Sequence, residues 1–182
     1  MPKQTPSQTV GPFFSRGLLW DAGGTVLFAG QGDRITLAGR VLDGAGAPVV
    51  DALLETWQAD AAGKVPAAGD GARPHGYARV STGADGGYVI ETVMPGAYAG
   101  PGGERYAPQL HVTIFARGLL KPVRTRVFLA GLDAITDDPL ARAAGNADRL
   151  KTLVAARDPK DPKTYRWDVR LQGDGETVFL EF

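Results

Sequence analysis

The sequence predicts a mainly β fold, a sandwich or barrel of short strands with long loops and one short helical segment. Three observations carry this. First, 25 glycines and 13 prolines supply 38 of 182 residues, roughly a fifth, where average usage would be about 12%. Second, several segments alternate apolar and polar residues with a period of two, the mark of a strand with one buried face. Third, turn-forming residues punctuate those segments at short intervals. An apolar fraction of 43% is enough for a core, so the glycines and prolines mark turns and not disorder. The length suits one compact unit.

Taken in order, residues 1–33 read as an extended arm, because Pro2, Pro6, Pro12 and several glycines break any period. Phe13, Phe14, Leu18, Leu19 and Trp20 in that arm need cover, from the chain's own β domain or from a partner. Residues 34–182 make up the β domain. Ile35, Leu37 and Val41 share one face of a strand over Arg34–Asp43, and Asp43–Pro48 is a turn. The stretch around Ala52–Ala59 reads as a strand, since Pro48 and Gly63 leave little room for a helix. Tyr77–Thr82 and Tyr88–Val93 flank an Asp85-Gly86 turn, which predicts a hairpin. Gln109–Ala116 puts Leu110, Val112 and Ile114 on one side and His111, Thr113 and Phe115 on the other. Thr125–Leu129 follows as a strand. Asp137–Gly145 predicts a short helix, with an Asp cap, Pro139 in the first turn and a closing glycine. Two last strands are expected, Tyr165–Gln172 and Glu176–Phe182.

Charge and composition narrow the function. Twenty Lys and Arg cancel twenty Asp and Glu, so the chain has no general attraction for phosphate backbones or anionic lipid. The absence of cysteine excludes disulfides, thiolate nucleophiles and cysteine-based zinc or iron–sulfur sites. No apolar run is long enough for a membrane helix, and Met1–Thr5 lacks the apolar stretch of a secretory signal. A cytoplasmic location is the expectation.

The chemistry-bearing residues are few. The two histidines are His75, in a loop beside Pro74, and His111, mid-strand. No nucleophile elbow, phosphate loop or dinucleotide fingerprint is present. With no cysteine, a metal site would have to draw on Asp, Glu or Tyr. Phenolate is a hard anionic donor suited to ferric iron, and Tyr98 lies eleven residues before Gln109 in the sequence. Each of these also has a plain structural reading: His111 as a hydrogen-bonded sheet residue, Tyr98 as a half-buried loop aromatic, and Arg117 as a solvated or ion-paired corner residue.

Several motifs are familiar in this order. Thr5–Phe14, Leu54-Glu55-Thr56-Trp57-Gln58-Ala59-Asp60-Ala61, Phe115-Ala116-Arg117-Gly118, Thr125-Arg126 and Leu171–Phe179 resemble the intradiol ring-cleavage dioxygenases nearly end to end. The resemblance implies a β-sandwich with long active-site loops and a ferric cofactor held by two Tyr and two His. It also implies, on the heteromeric members, a related α and β chain, with Fe(III) in the β subunit. In that pattern the two histidines stand as His-x-His on a strand. This chain has Gln109-Leu110-His111 there. The first tyrosine position falls on Val65, and the second on Tyr98. An amide and an isopropyl group do not replace an imidazole and a phenolate on ferric iron. The resemblance therefore implies an α-type chain, with no catalytic or metal-ligating residue of its own and with vestigial ligand positions at Val65, Tyr98, Gln109 and His111.

Such an α chain lends its N-terminal arm and one arginine to the β subunit's substrate pocket. Carried over, these are Gly11, Pro12, Phe13 and Arg117. The family commonly has Tyr at the arm position, and Phe13 keeps the ring without the hydroxyl. Arg117 is then the electrostatic support for a substrate carboxylate. The substrates implied are 3,4-dihydroxybenzoate (protocatechuate) and O2, and the product is 3-carboxy-cis,cis-muconate. Two alternatives are a homomeric dioxygenase with altered ligands and a transthyretin-like binding module.

Overall fold

The computed structural model describes residues 4–26, 32–66, 76–129 and 131–181. His75 and the rest of the 67–75 stretch lie outside the described residues. Eleven strands are found among them: β1 (Arg34–Leu42), β2 (Leu53–Gln58), β3 (Tyr77–Ser81), β4 (Gly87–Val93), β5 (Tyr98–Ala99), β6 (Arg105–Tyr106), β7 (Gln109–Phe115), β8 (Val123–Phe128), β9 (Ala156–Arg157), β10 (Thr164–Arg166) and β11 (Val169–Arg170). One sheet is built on β1, which pairs antiparallel with β4 on one side and parallel with β10 and then β11 on the other; β9 extends it beyond β10. The second sheet runs β3-β2-β7-β8. A small ribbon pairs β5 with β6.

The alternation read from the sequence places the core. Ile35, Leu37 and Val41 of β1 are buried against Leu54 of β2 and against Leu110, Val112 and Ile114 of β7. Both sheets bury one face here, as in an aligned sandwich. Gln58 ties the two layers together: its amide donates to the Val93 carbonyl (2.9 Å), and its carbonyl accepts from the Thr92 hydroxyl (2.7 Å). That satisfies a buried polar side chain that would otherwise be costly.

Several sequence expectations are corrected; one is the single strand expected over Tyr165–Gln172, which Trp167 and Asp168 divide into β10 and β11. Tyr77–Ser81 and Gly87–Val93 are strands, but they do not form a hairpin. β3 lies along β2, with Leu53 through Trp57 opposite Ser81 through Tyr77, while β4 lies along β1, with Arg34 through Arg40 opposite Val93 through Gly87. The Asp85 turn closes with Gly83 N–H on the Gly87 carbonyl, and the chain then crosses between sheets. Alternation reports which face is buried, and both strands do face one core; it does not choose the neighbour. The C-terminal stretch after Gly175 is not a regular strand either. Thr177 is fastened to Arg170 in one sheet and Leu180 to Arg124 in the other, so its hydrogen bonds close the sandwich end and form no ladder.

The expected helix is present as α2 (Pro139–Ala143), following α1 (Phe14–Leu18) in the arm and preceding α3 (Ala147–Lys151). Asp138 caps α2 by accepting from the Leu140 N–H, and Asn146 caps α3 through the Arg149 N–H. These turns cover β8, where Phe128, Ile135, Leu153 and Val178 form a second small core.

The arm is not merely extended. Its helix α1 lies on the outer face of the second sheet: the Phe14 ring tilts against Phe115 at 5.3 Å, and Arg79 Nη1 donates to the Leu18 carbonyl. Trp20 stacks on Tyr77, with the Arg79 guanidinium 5.0 Å from the Trp20 ring. Residues 23–26 then lace together the free edges of β3 and β4, since Arg79 N–H donates to Gly23, Glu91 N–H to Gly24, and Val26 N–H to Glu91. Two sheet edges are covered by one segment.

Candidate functional site

On the outer face of the second sheet, Trp57 of β2, His111 of β7 and Arg126 of β8 stand side by side in register. The β5–β6 ribbon brings Tyr98 to this row. The Tyr98 hydroxyl and His111 Nε2 share a 2.8 Å hydrogen bond. Tyr98 stacks on Tyr106 with ring centres 5.1 Å apart, and the Arg126 guanidinium lies 5.1 Å from the Tyr106 ring. The turn after β2 closes on the same corner. Asp60 Oδ1 accepts from the Ala62 and Lys64 N–H groups, and Gly96 N–H donates to the Asp60 carbonyl. Gly63 has φ +80°, and a Cβ there would meet the Ala97 carbonyl oxygen at 2.1 Å, so both its backbone and its neighbour demand glycine. The loop that carries Val65 is thereby pressed on the loop that carries Tyr98. Val65 itself is 46% exposed.

Of the four ligand positions that the family resemblance marks, His111 and Tyr98 carry an imidazole and a phenol, and these two share one hydrogen bond. Burial, with a smaller push from the Arg126 charge, lowers the His111 pKa to about 4, so the ring is neutral at pH 7. Burial raises the Tyr98 pKa above its ordinary value despite the Arg126 charge, so the group that meets His111 is a phenol. Gln109 Nε2 is turned towards Asp138 Oδ2 (3.4 Å), which also accepts from the Ala107 N–H at 2.8 Å. Gln109 Oε1 and Arg126 Nε and Nη1 are buried with no hydrogen-bond partner among the described residues. A neutral imidazole and a neutral phenol already satisfy each other, and a guanidinium stands beside them.

A second locus lies at the other end of β7, about 20 Å away at 3.3 Å per residue. Gly118 N–H donates to Thr9 Oγ1 at 2.8 Å, which holds the arm against the Phe115–Gly118 corner. Gly11, Pro12 and Phe13 form the turn into α1, with Phe14 N–H on the Gly11 carbonyl. Phe13 is 73% exposed, the most exposed large apolar side chain among the described residues. Arg117 is half exposed and pairs through Nε with both carboxylate oxygens of Asp51, at 3.3 and 3.1 Å.

A family model described as Dioxygenase matches residues 10–173. The protocatechuate 3,4-dioxygenase alpha chain of Burkholderia cepacia is 41% identical, over 98% of this chain and 98% of that protein. The chain belongs to the intradiol ring-cleavage dioxygenase family. The protocatechuate 3,4-dioxygenase beta chain of Burkholderia cepacia is 32% identical, over 80% of this chain and 67% of its own length. Among solved structures, the dioxygenase domain of a carbohydrate-binding fusion from Streptomyces sp. SirexAA-E superposes with a TM-score of 0.60 at 23% identity, covering 94% of this chain and 97% of that one. That likeness concerns the fold.

The intradiol fold thus sorts the sequence-derived residues into two places. Tyr98 and His111 touch, Gln109 begins the same strand but turns its amide away, and Val65 stands half-exposed on the neighbouring loop. Gly11, Pro12 and Phe13 follow Thr9, whose hydroxyl is bonded to Gly118, the residue after Arg117, at the other corner. Sequence reasoning singled out neither Arg126 as a neighbour of His111 nor Asp51 as the partner of Arg117. Arg126 carried a signal of a kind, a charge on a strand at a motif position, but its distance from His111 depends on β7–β8 register. Asp51 carried none. Among the described residues no helix is long and apolar enough to cross a membrane.

Proposed function

We propose that this chain is the α-type subunit of a heteromeric, Fe(III)-dependent protocatechuate 3,4-dioxygenase, in which the β subunit holds the iron and this chain completes the substrate pocket. The reading rests on the Tyr98–His111 pair, two mutually satisfied donors where the family's ligand pattern has four. An apolar, half-exposed Val65 and a Gln109 bonded to Asp138 support the same view. The similarity of the chain to both an alpha and a beta chain of that name supports a two-chain assembly. The location we propose is cytoplasmic.

In this reading the ring-opening chemistry and its ferric centre belong to the β chain. The present chain supplies shape and charge. The exposed Phe13 ring, led by Gly11 and Pro12, offers apolar surface to the partner, in the manner of a buried interface anchor. The Arg117 guanidinium, with both terminal nitrogens uncommitted among the described residues, offers a paired donor for the carboxylate of 3,4-dihydroxybenzoate.

Co-expression with candidate β chains, scored for iron content and protocatechuate-dependent O2 uptake, tests the proposal. Iron and activity are expected only in the two-chain complex. A ferric centre bound and turning over a catechol in this chain alone would overturn it. Deleting residues 1–14 should weaken assembly and lower turnover; unchanged size and kinetics would count against the arm's role. Arg117→Ala should raise KM for protocatechuate well above its effect on catechol, which lacks the carboxylate. Equal effects would mark a structural arginine.

A further inference from the structure

Asp51 is one of two non-glycine residues among those described with positive φ, at +59°. A left-handed backbone is unfavourable for a residue with a Cβ, though Asp tolerates it better than most. The turn that imposes it is rigidly built. The buried Thr82 hydroxyl donates to the Val49 carbonyl at 2.7 Å and accepts from the Ala52 N–H at 2.9 Å, so one side chain bridges the residues on both sides of the turn. Thr82 N–H then donates to the Ala52 carbonyl. Held this way, Asp51 brings its carboxylate to Arg117 Nε with both oxygens. It makes no hydrogen bond to either terminal nitrogen of Arg117, and those have no other hydrogen-bond partner among the described residues. Arg117 and Asp51 border an open cleft of about 460 Å³ together with Val50, Leu119, Leu171 and Gln172. Asp43, the other acid on that cleft, spends its carboxylate on its own turn, accepting from the Ala45 and Ala47 N–H groups.

A backbone conformation of this kind, fixed by a buried bridge, marks a side chain whose direction matters. An ion pair this exposed adds little to stability. It does restrict a long side chain that would otherwise sample many rotamers. We propose that Asp51 is a positioning residue, which clasps Arg117 through Nε and turns its two terminal nitrogens towards the carboxylate of the ring-cleavage substrate. This rests on the reading of Arg117 given above.

The test uses the assembled α–β enzyme with Asp51→Gly, Asp51→Asn and Arg117→Ala, and measures KM for protocatechuate and for catechol together with Tm. Glycine accepts φ +59° without strain, so Asp51→Gly should melt no lower than the parent. Its ratio of protocatechuate KM to catechol KM should rise about three- to tenfold, the cost of re-ordering one long side chain. Asp51→Asn keeps an acceptor for Nε and should stay within about twofold. The proposal is overturned if Asp51→Gly leaves the ratio in place while Arg117→Ala raises it, if both substrates weaken equally, or if Asn is as impaired as Gly. If Arg117→Ala itself leaves the ratio in place, it is the role of Arg117 that fails.

Discussion

Phe13 and Phe14 are adjacent phenylalanines with opposite surroundings, and replacing each by alanine separates the arm's two tasks. Phe14 is half-buried, its ring 5.3 Å from that of Phe115. A half-buried phenyl removes roughly 100 Å² from water, worth about 2.5 kcal/mol at 25 cal/mol per Å². The exposed Thr9–Gly118 hydrogen bond adds only about 0.5–1 kcal/mol. Beyond Leu18 the arm keeps its Arg79 and Tyr77 contacts. Phe14→Ala should therefore free residues 4–13 while leaving the sandwich intact. The reporter is the Gly118 amide, whose acceptor is the Thr9 hydroxyl: its hydrogen exchange should accelerate by roughly 30-fold or more, the factor for about 2 kcal/mol. Phe13→Ala should leave exchange and Tm of the isolated chain in place and weaken association with the β subunit by about tenfold or more. Unchanged Gly118 exchange in Phe14→Ala, or loss of Tm in Phe13→Ala, would refute this division of labour.

Thr82→Val preserves shape but strands the Val49 carbonyl and the Ala52 N–H, and should cost about 2–4 kcal/mol in urea unfolding. A cost below about 0.5 kcal/mol would mean water replaces the hydroxyl. His111 should make the fold acid-sensitive. Its folded pKa is lowered to about 4 from an ordinary value of 6.5, so below about pH 6.5 the unfolded chain binds a proton that the folded chain refuses. Stability is lost as pH falls from about 6.5 to about 4 and then levels off, by about 3–4 kcal/mol. The difference in unfolding free energy between the parent and His111→Gln should shrink or reverse over that window; a constant difference would contradict a buried neutral ring.

Much of the candidate site was legible residue by residue and illegible as an arrangement. Tyr98 and His111 could be picked out because motifs around them resemble the intradiol ligand positions, with phenol and imidazole the donor types that suit ferric iron. Their mutual hydrogen bond depends on the β5–β6 ribbon folding back over β7, and no local pattern encodes that. The displaced amide of Gln109 follows from Asp138, the capping residue of α2, lying close in space and 29 positions later in sequence. The helix signal at Asp138 was visible; its second task was not.

Burial faces, turn positions and the α2 cap could be read without coordinates, because a pleat repeats every two residues and a cap is a matter of four neighbours. Strand partners could not. Tyr77–Ser81 and Gly87–Val93 carry the marks of a hairpin, yet each strand pairs in a different sheet. The choice between those pairings is an energy difference summed over distant segments, invisible to any short window of residues. The same holds for the Asp51–Arg117 clasp, whose partners stand 66 positions apart and meet only once the two sheets have closed.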